Sequence, residues 1–147
     1  MPVYRTGFTS VAALPGQPFF SFHTGAGRRA FIRQISYFCQ SPLAAYIGIA
    51  YPSNTPVANI STTPIPDDLE DASPTCSADV GWGTPPTLPV SPNYLEQITL
   101  GPAVGAGVIE PLARDEMITL AKSTYLVWWN FGGQAAPPLS IGIIYEE

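Results

Sequence analysis

Nine of the chain's 17 prolines fall between Tyr51 and Asn93, and this bunching limits the possible folds more than any other feature. Proline has no backbone N–H and a fixed φ, so it breaks helices and is confined to the margins of sheets. The stretch opens Tyr51-Pro52-Ser53-Asn54-Thr55-Pro56 and closes Leu88-Pro89-Val90-Ser91-Pro92-Asn93. It has no sustained periodicity, yet strand-like sequence lies on both sides of it. An insertion this long in a compact domain is uncommon, and is usually functional or disordered. It lacks the high charge of disordered tails, so residues 52–93 are expected to form an extended, ordered, Pro-rich arm. At about 3.1 Å per residue in polyproline geometry, half of it would reach across a neighbouring subunit. Ordering it would cost less entropy than ordering a Gly/Ser linker.

Outside the arm the periodicity is that of strands. Residues 1–17 are weakly patterned and read as an N-terminal extension or edge strand. Phe19, Phe20 and Phe22 make an aromatic strand, and Gly25-Ala26-Gly27 reads as a tight hairpin turn. In the long strand over 28–40, Phe31, Arg33, Ile35, Tyr37 and Cys39 share the more apolar face, expected to point inward. Alternation returns over 44–51, 94–100, 108–112, 117–121, 124–131 and 139–145, with Gly101–Gly107 as a turn-rich connector. Only Arg114–Leu120 could form a helical turn. About eight short strands with Gly/Pro turns predict an all-β fold: one antiparallel β-sandwich or jelly-roll-like domain over 1–147, carrying the arm.

Composition bears on partners. The 147 residues suffice for one core without disulfides or metals. Charged residues are 12% of the chain, about half the usual ~25%. A neutral surface of Pro, Thr, Ser, Ala and Gly costs less to desolvate against a partner than an ionic one. The net charge of −5, with only Arg28, Arg29 and nearby Arg33 clustered, argues against nucleic acid. No apolar run approaches the ~18 residues of a membrane helix, and Met1–Arg5 has no signal-peptide pattern. The protein is therefore expected to be made in the cytoplasm and to have no membrane partner. Two cysteines, Cys39 and Cys76, are too few for a disulfide framework, and whether they bond to each other stays open.

Catalytic and metal chemistry find little support. His23, the only histidine, cannot build a multi-histidine metal site, and any Ser-His-Asp triad would rest on it alone. No Gly-x-Ser-x-Gly elbow exists, so His23 reads as structural. Asp67-Asp68-Leu69-Glu70-Asp71 lacks the ligand spacing of an EF-hand loop. It reads as a solvated turn, or as a docking contact for Arg28-Arg29 of another copy. Glu96, Glu110, Asp115 and Glu116 could form a glycosidase pair only if the fold set two of them face to face. The expectation is no enzyme, no cofactor and no metal.

Tryptophans carry the interface argument. Trp128 and Trp129 are neighbours on a strand and must point to opposite faces. One packs inside; the other is expected on the outer face, as a subunit contact or a sugar platform. Trp82, in Gly81-Trp82-Gly83-Thr84-Pro85-Pro86, either plugs a partner's pocket, as interface hot spots do, or pins the arm to its own domain. The expected partner-interface residues are Trp82, Pro85, Pro86, Arg28, Arg29, Asp67, Asp68 and Trp129.

Several stretches carry a resemblance: Gly25-Ala26-Gly27-Arg28-Arg29, Tyr51-Pro52-Ser53-Asn54-Thr55-Pro56-Val57-Ala58, Trp82-Gly83-Thr84-Pro85, Gly105-Ala106-Gly107-Val108-Ile109 and Trp129-Asn130-Phe131-Gly132-Gly133. From about Phe19 onward the chain resembles small tailed-phage virion proteins, and its design is similar to that of capsid decoration (cement) proteins. The resemblance implies a place on the capsid surface of the virion. It also implies homotrimers bound to the major capsid protein, with arms bridging neighbours. It carries over no functional residue. The alternative is a tail- or fibre-associated receptor module binding glycan through Trp128 or Trp129 with nearby carboxylates and Asn130.

Overall fold

A computed structural model describes all residues, 1–147. Twelve strands and no helix make up the chain: β1 Val3–Thr9, β2 Pro18–His23, β3 Ala30–Cys39, β4 Ala45–Ala50, β5 Val57–Thr62, β6 Ile65–Pro66, β7 Ser77–Thr84, β8 Glu96–Leu100, β9 Gly107–Pro111, β10 Ile118–Leu120, β11 Tyr125–Asn130 and β12 Leu139–Glu146. They form two antiparallel six-stranded sheets packed as a sandwich. The first runs β10-β3-β12-β1-β6, with β9 also paired to β3; the second runs β5-β7-β2-β11-β4-β8.

The connections cross between sheets, because each hydrophobic strand buries one face only by lying opposite a strand of the other sheet. β1 and β3 lie in the first sheet and β2 and β4 in the second. Gly25–Gly27 is therefore a crossover between sheets, where a hairpin was expected. The Arg114–Leu120 stretch is a turn followed by β10, with no helical turn.

A cluster of 24 buried residues fills the space between the sheets. Trp128 stacks on Phe20 with ring centroids 4.4 Å apart and donates its indole N–H to the Tyr37 hydroxyl at 2.9 Å. That bond ties β11 to β3 across the core. Tyr145 stacks on Tyr4 and meets the edge of Phe22. Aromatic pairs of this kind add roughly 0.5–1.5 kcal/mol each beyond their buried area.

β3 departs from simple alternation. Ala30 and Ile32 are buried, then Ile35, Tyr37 and Cys39. The phase changes at Arg33, which the β12 ladder skips: Tyr145 pairs with Ile32 and Ile144 with Gln34. This bulge turns Arg33 and Phe31 away from the core, correcting the inward face expected for them. Arg33 then reaches Glu146 at 3.1 Å.

Residues expected as extensions are built into the sandwich. β1, read as part of an N-terminal extension, lies between β12 and β6. Within the expected arm, β5 and β7 extend the second sheet beyond β2, while β6 caps the first beside β1. Prolines 56, 64, 74, 85 and 86 fall outside these strands, where no ladder N–H is lost. Pro66 lies on the edge strand β6, where a sheet tolerates it.

Candidate functional site

The rest of the insertion lies over the outer face of the second sheet. Asn54 holds it at both ends of a turn: its side-chain N–H donates to the Pro85 carbonyl at 2.9 Å, and its Oδ1 accepts the Thr87 N–H at 2.8 Å. Leu88 and Tyr94 then pack on a small outer cluster of Ala50, Val127 and Trp129. Tyr94 fits because residue 48 is glycine, where a Cβ would lie 2.5 Å from its ring.

This strap settles the tryptophans. Trp128 and Trp129 do face opposite sides, but both are fully buried. The outer one, Trp129, is covered by the strap and donates its indole N–H to the Ala50 carbonyl at 3.2 Å. Its expected role as a surface contact is corrected: it holds the strap. Asn130 is also fully buried and donates to the carbonyls of Ala13 and Gln134. The sugar platform assigned to Trp128, Trp129 and Asn130 is therefore closed. Trp82 is half-buried and donates to the Ser21 hydroxyl at 3.0 Å, the bond expected of a pin to its own domain. Pro86 is buried and Pro85 exposed.

Asp67 and Asp68 have partners within the chain. Asp67 accepts two hydrogen bonds from Arg5, at 2.6 and 3.0 Å, and this guanidinium holds its carboxyl below the usual range. Asp68 accepts the Glu70 N–H at 3.0 Å, closing its own turn. Arg28 and Arg29 are exposed in the β2–β3 crossover. Within the chain, then, Asp67 is satisfied by Arg5 and not by Arg28 or Arg29. Cys39 and Cys76 are both free thiols and both buried; burial, with Glu147 nearby, pushes Cys76 up to about 12. No group of three or more His, Cys, Asp or Glu side chains is gathered as a metal site.

Two polar clusters stand out. At the side of the sandwich where β8 and β9 come together, Glu96 and Glu110 meet across the sheets. Burial, then the hydrogen bond and charge of Glu110, push Glu96 up to about 8. Glu110 Oε2 is buried without a hydrogen-bond partner.

The second cluster is on the outer face of the second sheet, where β2 and β7 pair His23 with Ser77 and Ser21 with Asp79. Asp79 is fully buried. Its Oδ1 accepts the Ser61 hydroxyl at 2.6 Å, and its Oδ2 accepts the Ser21 hydroxyl at 2.9 Å. The same Oδ2 lies 2.8 Å from His23 Nδ1. On the other side of the ring, Nε2 faces the Ser77 hydroxyl at 3.5 Å. Tyr125 stacks on the imidazole with centroids 4.9 Å apart. His23 stands out in the sequence as the only histidine, whereas Ser21, Ser61, Ser77 and Asp79 carry no signal there. Ser21-x-His23 and Ser77-x-Asp79 each show strand alternation, but neither tells that the two strands are neighbours in this register.

A scan against protein-family models, a search of curated proteins and a search of solved structures each find no match.

Proposed function

We propose that this chain is a structural protein of a tailed-phage virion, a capsid decoration (cement) protein that binds the assembled shell and holds neighbouring subunits. The strand order supports a jelly-roll reading: β1-β12-β3-β9 opposite β2-β11-β4-β8, with β5–β7 as an insertion. Jelly rolls recur in viral capsid and lectin domains.

One observation carries the proposal. The insertion forms one lateral wall of the sandwich, with β5 at the margin of one sheet and β6 at the margin of the other. Along it Val57, Ile60, Ile65 and Leu69 are 56%, 59%, 65% and 86% exposed. Exposed apolar side chains on this wall of a weakly charged protein support a contact surface there, although Leu14, Val90 and Val104 are as exposed elsewhere on the chain. The register of β5 against β7 breaks at three places, and such bulges discourage pairing with a stray strand. The wall therefore engages its partner through side chains. The partners in this reading are the major capsid protein and further copies of this chain, arranged as a homotrimer on the virion surface. Binding the closed shell but not its dissociated parts stabilises the shell by linkage.

The test is co-sedimentation with shells lacking the protein. The double variant Val57→Asp and Ile60→Asp keeps its circular dichroism, because both side chains are exposed, and is expected to lose at least about tenfold in shell affinity, ~1.4 kcal/mol. Undiminished binding would remove the wall from the account.

A further inference from the structure

We propose that Ser77, His23 and Asp79 form a nucleophilic site that accepts an acyl group from small activated esters. This inference is independent of the virion reading. It rests on the order of contacts: carboxylate to Nδ1, then Nε2 to hydroxyl, as in a serine hydrolase relay. With Nδ1–H donated to Asp79 at 2.8 Å, Nε2 is the acceptor, and it faces Ser77 Oγ at 3.5 Å. Contacts of this length are common before a substrate tightens them.

The surrounding groups each serve that order. Ser21 and Ser61 donate to Asp79 and fix its plane, so Asp79 is a positioning residue. Tyr125 holds the ring by stacking. Ser21 is further occupied by the Trp82 indole N–H, while His23 is the one partner of the Ser77 hydroxyl. Satisfying the buried carboxylate explains Ser21 and Ser61, but it does not explain Ser77 on the far nitrogen. Access exists as well. The β5–β7 ladder ends at Thr62 opposite Ala78, so Ser77 lies just beyond it, and the His23 side chain is 24% exposed.

The chemistry balances without a further reagent. Ser77 Oγ bonds to the ester carbonyl carbon while its proton passes to His23 Nε2. The bond to the alcohol oxygen then breaks, and the alcohol leaves with that proton. Water, deprotonated by the same nitrogen, cleaves the acyl–Ser77 ester to a carboxylic acid and restores the hydroxyl.

The experiment is reaction of the intact chain with an alkyl fluorophosphonate, located by peptide mass spectrometry. Oγ–P forms, P–F breaks, fluoride leaves, and His23 takes the proton. The expected result is one label per chain, on Ser77. It is absent in Ser77→Ala, present in Ser73→Ala at an exposed serine nearby, and slowed at least about 100-fold in His23→Gln. Near-UV circular dichroism checks each fold, and His23→Phe, which keeps the stack on Tyr125, serves if the Gln variant does not fold. A folded parent with Ser77 unlabelled, or labelling undiminished without His23, would overturn the proposal.

Discussion

Replacing Glu96 with Gln should stabilise the protein in mild alkali. Glu96 of β8 faces Glu110 of β9 across the sandwich, and burial with that neighbour lifts it from 4.5 to about 8. A carboxyl raised in the folded state binds its proton more tightly there than in the unfolded chain. Its stabilising contribution is therefore fully present below the usual carboxylate value. It is lost as pH rises toward and through about 8. Taken whole, the rise of 8 − 4.5 = 3.5 units corresponds to about 5 kcal/mol at ~1.36 kcal/mol per unit. Glu96 is only half-buried, so solvent screening reduces this to about 1–2 kcal/mol. The assay is urea unfolding of parent and Glu96→Gln from pH 5 to 8.5. The window stops there because the buried thiols add a loss of the same sign beyond it. The parent should weaken steadily across the window. The variant should stay nearly flat and exceed the parent by about 1–2 kcal/mol at pH 8.5. A parent stability independent of pH, with Glu96→Gln no better at pH 8.5, would refute the carboxyl pairing.

Two further predictions concern the insertion. Gly48→Ala places a methyl where Tyr94 rests, 2.5 Å from its ring; it should lift the 85–95 strap, seen as faster proteolysis after residues 88–95 with the core strands still protected from hydrogen exchange. Trp82→Phe keeps an aromatic side chain but removes the pyrrole half of the indole and with it the N–H donated to Ser21; it should cost at least about 1 kcal/mol in urea unfolding, and no measurable loss would mean that this bond does not pin the insertion.

How far the fold was legible depends on what each strand buries. β2, β3, β4 and β8–β12 announce themselves through alternating β-branched and aromatic residues. β1 was obscured because Thr6 shares its inward row with Tyr4 and Phe8. β5–β7 were hidden among prolines, and β7 turns inward only small Ala78 and half-buried Val80, a weak signal beside Trp128 or Phe20. Arg33 interrupts β3 with a bulge that local pattern cannot announce, since it exists only relative to the β12 register. The opposed faces of Trp128 and Trp129 followed from strand geometry alone. That the outer face would be covered did not, because the strap has no periodicity and gains its place from Tyr94 on Gly48. The Ser77–His23–Asp79 arrangement joins residues more than 50 apart in sequence, so it follows from pairing between strands and not from a motif.

Copy number in the particle distinguishes a decoration protein from every other reading. Quantitative mass spectrometry of purified virions from the source would give this protein's abundance relative to the major capsid protein. The decoration reading predicts copy numbers comparable to that of the shell protein; absence from the particle, or only a few copies in each, would contradict it.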